Sequence, residues 1–354
     1  MKLPSYSLIL CLSSLLLPCI GFAETSQHLS TITNAKVSER VNPKYPIELV
    51  RANIEGWAKA SYIVETDGSV SNVIITDSSG YKSFERETIK AIKKWKFTPA
   101  QENGKAIQQC HNNIQMDFTM LDKDGGVSRK FLRKYNRAQK ALESKDFDET
   151  KTQLVKLENH KQRRLAENVY SKLLHANYAK AIKNNSLQLS SLSSIGLRNE
   201  KIISPEQKLS ILQQKFILQV KLNHYKSAMS TYNKLEKLDL AKPFIPGLFK
   251  IKQRVEAYIA GNSDIVILGD IKENYAWNHS LARNTFTLTN IQGSLNKLDV
   301  RCANKRHVYS VEENNTWSIP SSWKSCSLYI YGADNTKFTL VEHAQNIQTT
   351  AAIY

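Results

Sequence analysis

The residue types that most often perform catalysis or bind metal are scattered along this chain of 354 residues. Its eight histidines lack His-x-x-x-His spacing, and its cysteines are too far apart to act as paired zinc ligands. Neither a Gly-x-x-x-x-Gly-Lys phosphate loop nor a Gly-x-Ser-x-Gly nucleophile elbow occurs in the sequence. Cys110 and His111 are adjacent, but neighbours on a strand point to opposite faces and cannot form a thiol and imidazole pair. We therefore expect no enzymatic activity, no cofactor and no metal site.

The N-terminus has the pattern of a secretory signal peptide. Lys2 precedes an apolar run that ends at Phe22, and small residues stand at −3 and −1 of a cut before Glu24. The run is shorter than the ~20 residues that span a bilayer comfortably. We predict that residues 1–23 are removed and that the protein is periplasmic. Retention of this segment, the alternative, would hold the protein on the periplasmic side of the inner membrane.

The predicted mature chain has three cysteines in a compartment where disulfides persist. Cys302 and Cys326 lie in the same β-rich stretch, and a bond between them would close a loop worth roughly 3 kcal/mol. Cys110 is distant in sequence. We predict a Cys302–Cys326 disulfide and a free Cys110, with linkage of Cys110 to another molecule as the alternative.

The chain is strongly basic, with a formal net charge of +17. Lys2 is the only charged residue of the predicted signal peptide, so the mature form keeps +16. Such an excess favours anionic partners, for which anionic envelope polymers and lipid head groups are candidates. Export argues against nucleic acid, and the lysines are spread along helical stretches without interleaved aromatic residues. A generically solvated basic surface is the alternative interpretation.

The predicted elements begin with an α+β segment at residues 36–122, which follows a polar, flexible lead at residues 24–35. Residues 56–64 alternate, with Ala58, Ala60, Tyr62 and Val64 on one face and Lys59 and Ser61 on the other. This alternation predicts a strand, and an Asp-Gly turn joins it to a second strand that begins at Val70.

A helix and a last strand complete this segment. Apolar residues recur at i, i+4, i+7, i+8 and i+11 from Phe84 to Trp95, which predicts an amphipathic helix with Ser83 as its N-cap. Alternation at residues 114–118 predicts the final strand. The resulting order is ββαβ.

Residues 127–260 are rich in Lys, Leu, Gln, Ala and Glu with helical periodicity, which predicts a helical domain. A helix-turn-helix pattern at residues 138–157 recurs at residues 220–238, about 78 residues later. This arrangement resembles a degenerate tetratricopeptide-type array, although ordinary helix pairs have the same spacing.

Residues 263–354 contain short β-prone runs separated by Asn, Gly, Ser and Pro, which predicts a small β-sandwich or barrel. The predicted disulfide, Trp317 and Trp323 would stabilise it. The predicted fold class is thus multidomain: an α+β domain, an α-helical repeat-like domain and a small all-β sandwich.

Six short motifs occur in order within the α+β segment. They are Val41-Asn42-Pro43-Lys44-Tyr45-Pro46, Ile54-Glu55-Gly56, Asp67-Gly68-Ser69-Val70, Phe84-Glu85-Arg86-Glu87, Lys93-Lys94-Trp95-Lys96-Phe97-Thr98-Pro99-Ala100 and Glu102-Asn103-Gly104-Lys105. In this order, on a ββαβ skeleton, residues 36–120 resemble the C-terminal domain of the TonB family. The resemblance covers under a quarter of the chain.

The resemblance implies a peptide-binding site. In the TonB family this domain engages a short extended segment of an outer-membrane transporter by strand addition beside its last strand, and the region before Tyr-Pro is also in contact. Carried over to this sequence, the implied binding residues are Val41, Asn42, Pro43, Lys44, Tyr45 and Pro46, together with Asn113, Ile114, Gln115, Met116, Asp117, Phe118 and Thr119. Self-pairing of this edge, or its coverage by the helical domain, is the alternative.

The function implied is that of a periplasmic protein linked to TonB-dependent transport, whose partners are transporter segments or inner-membrane motor components. A structural role in the envelope, through cell-wall binding or dimerisation, is the alternative. The third hypothesis is that the protein is a membrane-anchored energy transducer. Transducers of this family have a retained anchor and a long Pro-rich spacer, whereas the lead before residue 41 is short and polar.

Overall fold

The computed structural model describes residues 32–120, 126–159, 164–197, 202–271 and 276–344. The predicted signal peptide and residues 24–31 of the predicted lead lie outside these ranges. Within them, no helix combines the length and the apolar character that crossing a membrane requires.

The first group of elements contains the predicted ββαβ order together with several short strands. The elements are β1 (Ile32–Thr33), β2 (Lys36–Glu39), α1 (Ile47–Arg51), β3 (Gly56–Val64), β4 (Val70–Ser78), α2 (Lys82–Ile92), β5 (Lys96–Thr98), β6 (Ala100–Glu102), β7 (Lys105–Ile107) and β8 (Gln109–Phe118). The main sheet is antiparallel with the order β4-β3-β8, so β8 forms one edge. Strand β1, which lies within the predicted lead, pairs with β6.

The inner face of this sheet packs on helix α2. Ala60, Tyr62 and Val64 of β3 belong to one buried cluster with Phe84 and Trp95. This agrees with the alternation and the helical periodicity in the sequence. The helix begins two residues earlier than predicted: its N-cap is Tyr81, and Ser83 lies in the first turn, where its hydroxyl donates to Glu48. The prediction of Ser83 as N-cap was therefore wrong.

Two tight turns require residues with positive φ. Gly68, between β3 and β4, has φ +83°, and an added Cβ would lie 2.0 Å from the carbonyl oxygen of Phe97. Asn103 and Gly104, between β6 and β7, have φ of 51° and 78°. These values suit the two central residues of a hairpin turn, as the Asn-Gly dipeptide predicts.

The second group is helical and consists of α3 (Arg129–Glu143), α4 (Phe147–Glu158), α5 (Leu165–Ala181), α6 (Asn185–Ser193), α7 (Pro205–Lys221), α8 (Tyr225–Leu235), a 3₁₀ helix (Asp239–Phe244) and α9 (Ile245–Ala260). Three successive helix pairs have the same short turn, each with one residue of left-handed backbone: Lys145, Lys183 and Asn223. These residues are 38 and 40 positions apart. The repeat that the sequence suggested at about 78 residues therefore has a further helix pair between its two copies.

The third group consists of β9 (Ile265–Asp270), β10 (Trp277–Ser280), β11 (Thr285–Gln292), β12 (Leu295–Arg301), β13 (Arg306–Tyr309), β14 (Thr316–Ser318), β15 (Ser327–Gly332) and β16 (Lys337–Glu342). They form two antiparallel four-stranded sheets, β10-β15-β12-β13 and β14-β11-β16-β9, and both contribute to a single buried cluster. The predicted Cys302–Cys326 disulfide is confirmed, and Cys110 is free and buried. The division of the chain into three domains stays a prediction.

The three groups contact one another through buried and half-buried polar groups. The Tyr329 hydroxyl of β15 donates to Ser61 of β3 over 3.1 Å, and the Lys59 ammonium donates to the carbonyl of Ser193 at the end of α6. Buried Arg283 donates to the carbonyls of Tyr258 and Gly261 at the end of α9, over 2.9 Å each. A cation at a helix C-terminus is favourable because the last carbonyls lack partners within the helix.

Candidate peptide-binding site

A cleft of about 250 Å³ lies between the chain before α1 and the end of β8. It is lined by residues from both segments that the sequence implicated in peptide binding, together with Arg40. The lining residues are Arg40, Asn42, Pro43, Tyr45, Gln115, Met116, Asp117, Phe118 and Thr119. Two stretches that are more than 60 positions apart in sequence thus meet at one edge of the main sheet.

Tyr45 forms the floor of the cleft and connects its two sides. Its hydroxyl donates to the Ile54 carbonyl over 2.8 Å, and its ring meets Phe84 and Phe118 edge to face, with centroids 5.7 Å apart in both pairs. Burial, with a smaller contribution from the Glu55 carboxylate, raises the pKa of Tyr45 to about 12. The phenol is therefore a fixed neutral donor at neutral pH and positions the chain before α1 against β8.

Trp95 holds the wall of the cleft that the chain before α1 forms. The indole Nε1 donates to the Val41 carbonyl over 2.7 Å, and the Arg40 guanidinium lies 4.9 Å from the centre of the same ring. Pro46 follows with extended backbone, φ −64° and ψ 125°, and precedes the first turn of α1. Residues before α1 are thus held in an extended path by one indole and one proline.

The edge strand β8 supplies the other wall. Among the residues that the structure describes, β8 pairs with β3 on one side and with no strand on the other. An edge of this kind leaves alternate backbone N–H and C=O groups without a ladder partner. Such groups are what an added peptide strand would bond.

Five of the thirteen implied residues do not line this cleft. Val41 contributes its carbonyl to Trp95 and Pro46 is buried, so both support the wall. Lys44 is exposed and lies outside the lining, whereas Asn113 and Ile114 line a second, larger cavity on the other side of Gln115.

Arg40 is the cleft residue that the sequence reasoning missed. It lies immediately before the first motif, and its proximity to Trp95 in space gave no signal in the sequence. Its exposed guanidinium and the Asp117 carboxylate put one charge of each sign at the cleft. A peptide with either an acidic or a basic side chain could therefore form an ion pair there.

The described residues include no cluster of three or more His, Cys, Asp or Glu side chains placed to hold a metal ion. Burial, and to a lesser extent the Glu65 carboxylate, raises the pKa of the Cys110 thiol to about 12. Because the thiolate is the reactive form, Cys110 is a poor nucleophile in the folded protein.

The comparison with protein families confirms the resemblance for this part of the chain. Residues 41–120 match the family described as Gram-negative bacterial TonB protein C-terminal. The chain is 33% identical over 69 residues to the protein TonB of Yersinia enterocolitica, an alignment that covers 20% of this chain and 27% of that protein. It is also 33% identical over 87 residues to the protein tonB2 of Pseudomonas aeruginosa, covering 25% of this chain and 32% of that protein.

The chain therefore spans about a third or less of the length of these curated relatives. A solution NMR structure of the Pseudomonas aeruginosa TonB C-terminal domain is 24% identical, with a TM-score of 0.24; the match covers 26% of this chain and 91% of that one. The family match places the similarity to TonB proteins in residues 41–120, the segment that contains most of the cleft.

Proposed function

We propose that the cleft binds an extended peptide segment of an envelope transport partner by strand addition along β8. The observation that carries this proposal is the meeting of Asn42, Pro43 and Tyr45 with residues 115–119 around one cleft beside an edge strand. Main-chain hydrogen bonds supply most of the affinity in strand addition, so the site needs an open edge more than particular side chains.

The partner class follows from the TonB resemblance of residues 41–120. We propose N-terminal segments of TonB-dependent outer-membrane transporters as ligands, and inner-membrane motor components as the second class. In this role the protein is a non-enzymatic periplasmic adaptor, and the helices and the C-terminal sheets present further surfaces to envelope proteins.

The test is fluorescence anisotropy of the full chain with labelled peptides from the N-terminal segments of outer-membrane transporters encoded nearby in the genome. Methylating the backbone nitrogen of every second peptide residue removes one row of donors. An added strand bonds its neighbour through alternate residues only, so methylation in one register should abolish binding and methylation in the other should leave it intact.

A matched pair of variants locates the site. Thr119→Trp places a large ring in the cleft and should weaken peptide binding by at least about tenfold, or about 1.4 kcal/mol, because the ring occupies space that the peptide would fill. Thr152→Trp, at an exposed position of α4, should leave the affinity unchanged. Equal sensitivity to both methylation registers, or equal effects of the two variants, would contradict strand addition at this cleft.

Two outcomes would assign the chain to the alternative roles. Binding to peptidoglycan, with no peptide binding at millimolar concentration, would indicate a structural envelope protein. Recovery of residues 1–23 at the N-terminus of the mature protein, by mass spectrometry, would indicate a membrane-anchored transducer.

A further inference from the structure

A cavity of about 1480 Å³ lies where the three groups of elements meet. Its walls are the outer face of the main sheet, helices α6 to α8, and strands of both C-terminal sheets. It is distinct from the peptide cleft, with which it shares only Gln115.

The wall of this cavity carries a strong excess of positive charge. Six lysines line it: Lys59, Lys208, Lys215, Lys234, Lys237 and Lys337. Two aspartates, Asp77 and Asp270, are the acidic residues among the described lining, so four positive charges remain when all are ionised. The Asp77 carboxylate lies 3.7 Å from the Lys59 ammonium and is thus already shared with one lysine.

Burial and mutual repulsion disfavour the charged form of the cavity lysines. Burial lowers the pKa of Lys215 to about 7, and the neighbouring charges of Lys59 and Lys234 add to this effect, while Asp77 opposes it. Burial also lowers the pKa of Lys59. Like charges in poorly solvated surroundings are costly, and an anion bound among them would remove that cost.

Serines and an asparagine supply neutral hydrogen-bond donors, among leucines and other apolar side chains that also line the cavity. Ser186, Ser190 and Ser193 recur at i, i+4 and i+7 on the one face of α6 that lines the cavity. Asn113, on the sheet wall, adds an amide. No arginine belongs to the described lining, so the cations that line the cavity are lysine ammoniums, which bind phosphate as point charges. Lysine ammoniums with hydroxyl groups are a donor set suited to the tetrahedral phosphate group.

We infer that this cavity binds an anion with several phosphate groups, held by lysines from the main sheet and from α7 and α8. The volume is far larger than one phosphate ion and exceeds the usual pocket of a drug-sized ligand, which is at most about 1,000 Å³. The ligand is therefore a multiply phosphorylated molecule, either soluble or the phosphorylated head group of a lipid.

The test is isothermal titration calorimetry of the full chain with sodium tripolyphosphate at low salt. We expect saturable binding at one site. Lys215→Gln should weaken it by about tenfold or more, because a charge-assisted hydrogen bond in a semi-enclosed cavity is lost. Lys237→Gln, at an exposed position on the cavity rim, should weaken it in the same direction and provides a second variant that leaves the buried wall intact.

Lys250→Gln is the matched control, because it removes the same charge from an exposed position on α9 outside the cavity lining. Its affinity for tripolyphosphate should equal that of the unaltered protein. If Lys215→Gln and Lys250→Gln weaken tripolyphosphate binding equally, the binding depends on the net charge of the protein alone. That result would overturn the inference. Absence of saturable binding at millimolar tripolyphosphate would overturn it as well.

Further binding experiments identify the chemical class and the source of the ligand. Citrate supplies several carboxylates, and citrate binding as tight as that of tripolyphosphate would overturn the preference for phosphate. Vesicles that contain cardiolipin, whose head group carries two phosphates, distinguish the sources. Retention of the protein that Lys215→Gln abolishes assigns a phosphorylated head group, whereas tripolyphosphate binding without vesicle binding assigns a soluble ligand. An acidic peptide that displaces tripolyphosphate at lower concentration would assign the cavity to a protein partner and overturn the inference.

Discussion

Replacing Lys215 with methionine should stabilise the protein, and by an amount that depends on pH. Lys215 lies on α7, and its ammonium is disfavoured by burial and by Lys59 and Lys234. Methionine keeps an unbranched side chain of similar length and removes the charge. The cost of holding that charge beside Lys59 and Lys234 in a partly buried position should therefore disappear.

The magnitude follows from the pKa. A fall in the pKa of Lys215 from 10.5 to about 7 corresponds to a destabilisation of the folded protein by at most about 5 kcal/mol, at 1.36 kcal/mol for each pKa unit. Lys215 is only partly buried and faces a cavity open to water, so solvent screening reduces this ceiling. We expect Lys215→Met to raise the free energy of unfolding by about 2 kcal/mol at neutral pH.

The pKa of Lys215 also determines the direction in which stability changes with pH. Below about pH 7 the lysine is charged in both folded and unfolded chains, and the cost is fully present. Between about pH 7 and about pH 10.4 the unfolded chain binds the extra proton, so the destabilising contribution of Lys215 falls as the pH rises. The advantage of Lys215→Met should therefore shrink across this range and be lost above about pH 10.4.

The measurement is urea denaturation of both proteins, followed by far-ultraviolet circular dichroism at several pH values. The difference between the two proteins is the useful quantity, because the raised pKa of Cys110 lowers the stability of both as the unfolded thiol ionises. Lys250→Met, exposed on α9, is the control and should show no difference that changes with pH. A Lys215→Met protein that is no more stable at neutral pH, or whose advantage is constant with pH, would refute the reasoning.

Three further predictions concern single structural features. Replacing both Cys302 and Cys326 with serine should lower the free energy of unfolding by about 3 kcal/mol, since the bond closes a loop with a sequence separation of 24; calorimetry would measure the fall in melting temperature. Cys110, whose thiol pKa is about 12, should react with Ellman's reagent only after unfolding, and rapid reaction of native protein would contradict its burial. Gly68→Ala should destabilise the protein by more than Gly80→Ala in urea titrations, because both glycines have positive φ but only Gly68 faces a carbonyl oxygen within 4 Å.

The local features of the first segment could be predicted from sequence. Alternation placed Ala60, Tyr62 and Val64 on the inner face of β3, and the 3.6-residue period placed Phe84 against them. Such patterns report a periodicity that each strand or helix has by itself. The N-cap of α2 was missed because a side-chain cap depends on where the preceding backbone turns, which the period does not reveal.

The candidate peptide site was predictable in outline from the motif order. The motifs implicated both walls of the cleft, but they included Asn113 and Ile114, which line the larger cavity, and omitted Arg40. Which backbone groups of β8 remain available depends on the strands and loops that approach it. The contacts between β8 and those strands and loops are long-range, and no local sequence pattern encodes them.

Composition and periodicity by themselves determined the order of an α+β, a helical and a β-rich segment, and the spacing of the cysteines indicated the Cys302–Cys326 bond. Only the tertiary structure decided what covers the outer face of β3, where Ser61 and Ile63 are fully buried beneath other elements. It also decided that lysines from three parts of the chain line one cavity. Strand alternation determines which side chains share a face, whereas the surroundings of that face depend on contacts between residues hundreds of positions apart, such as Tyr329 with Ser61.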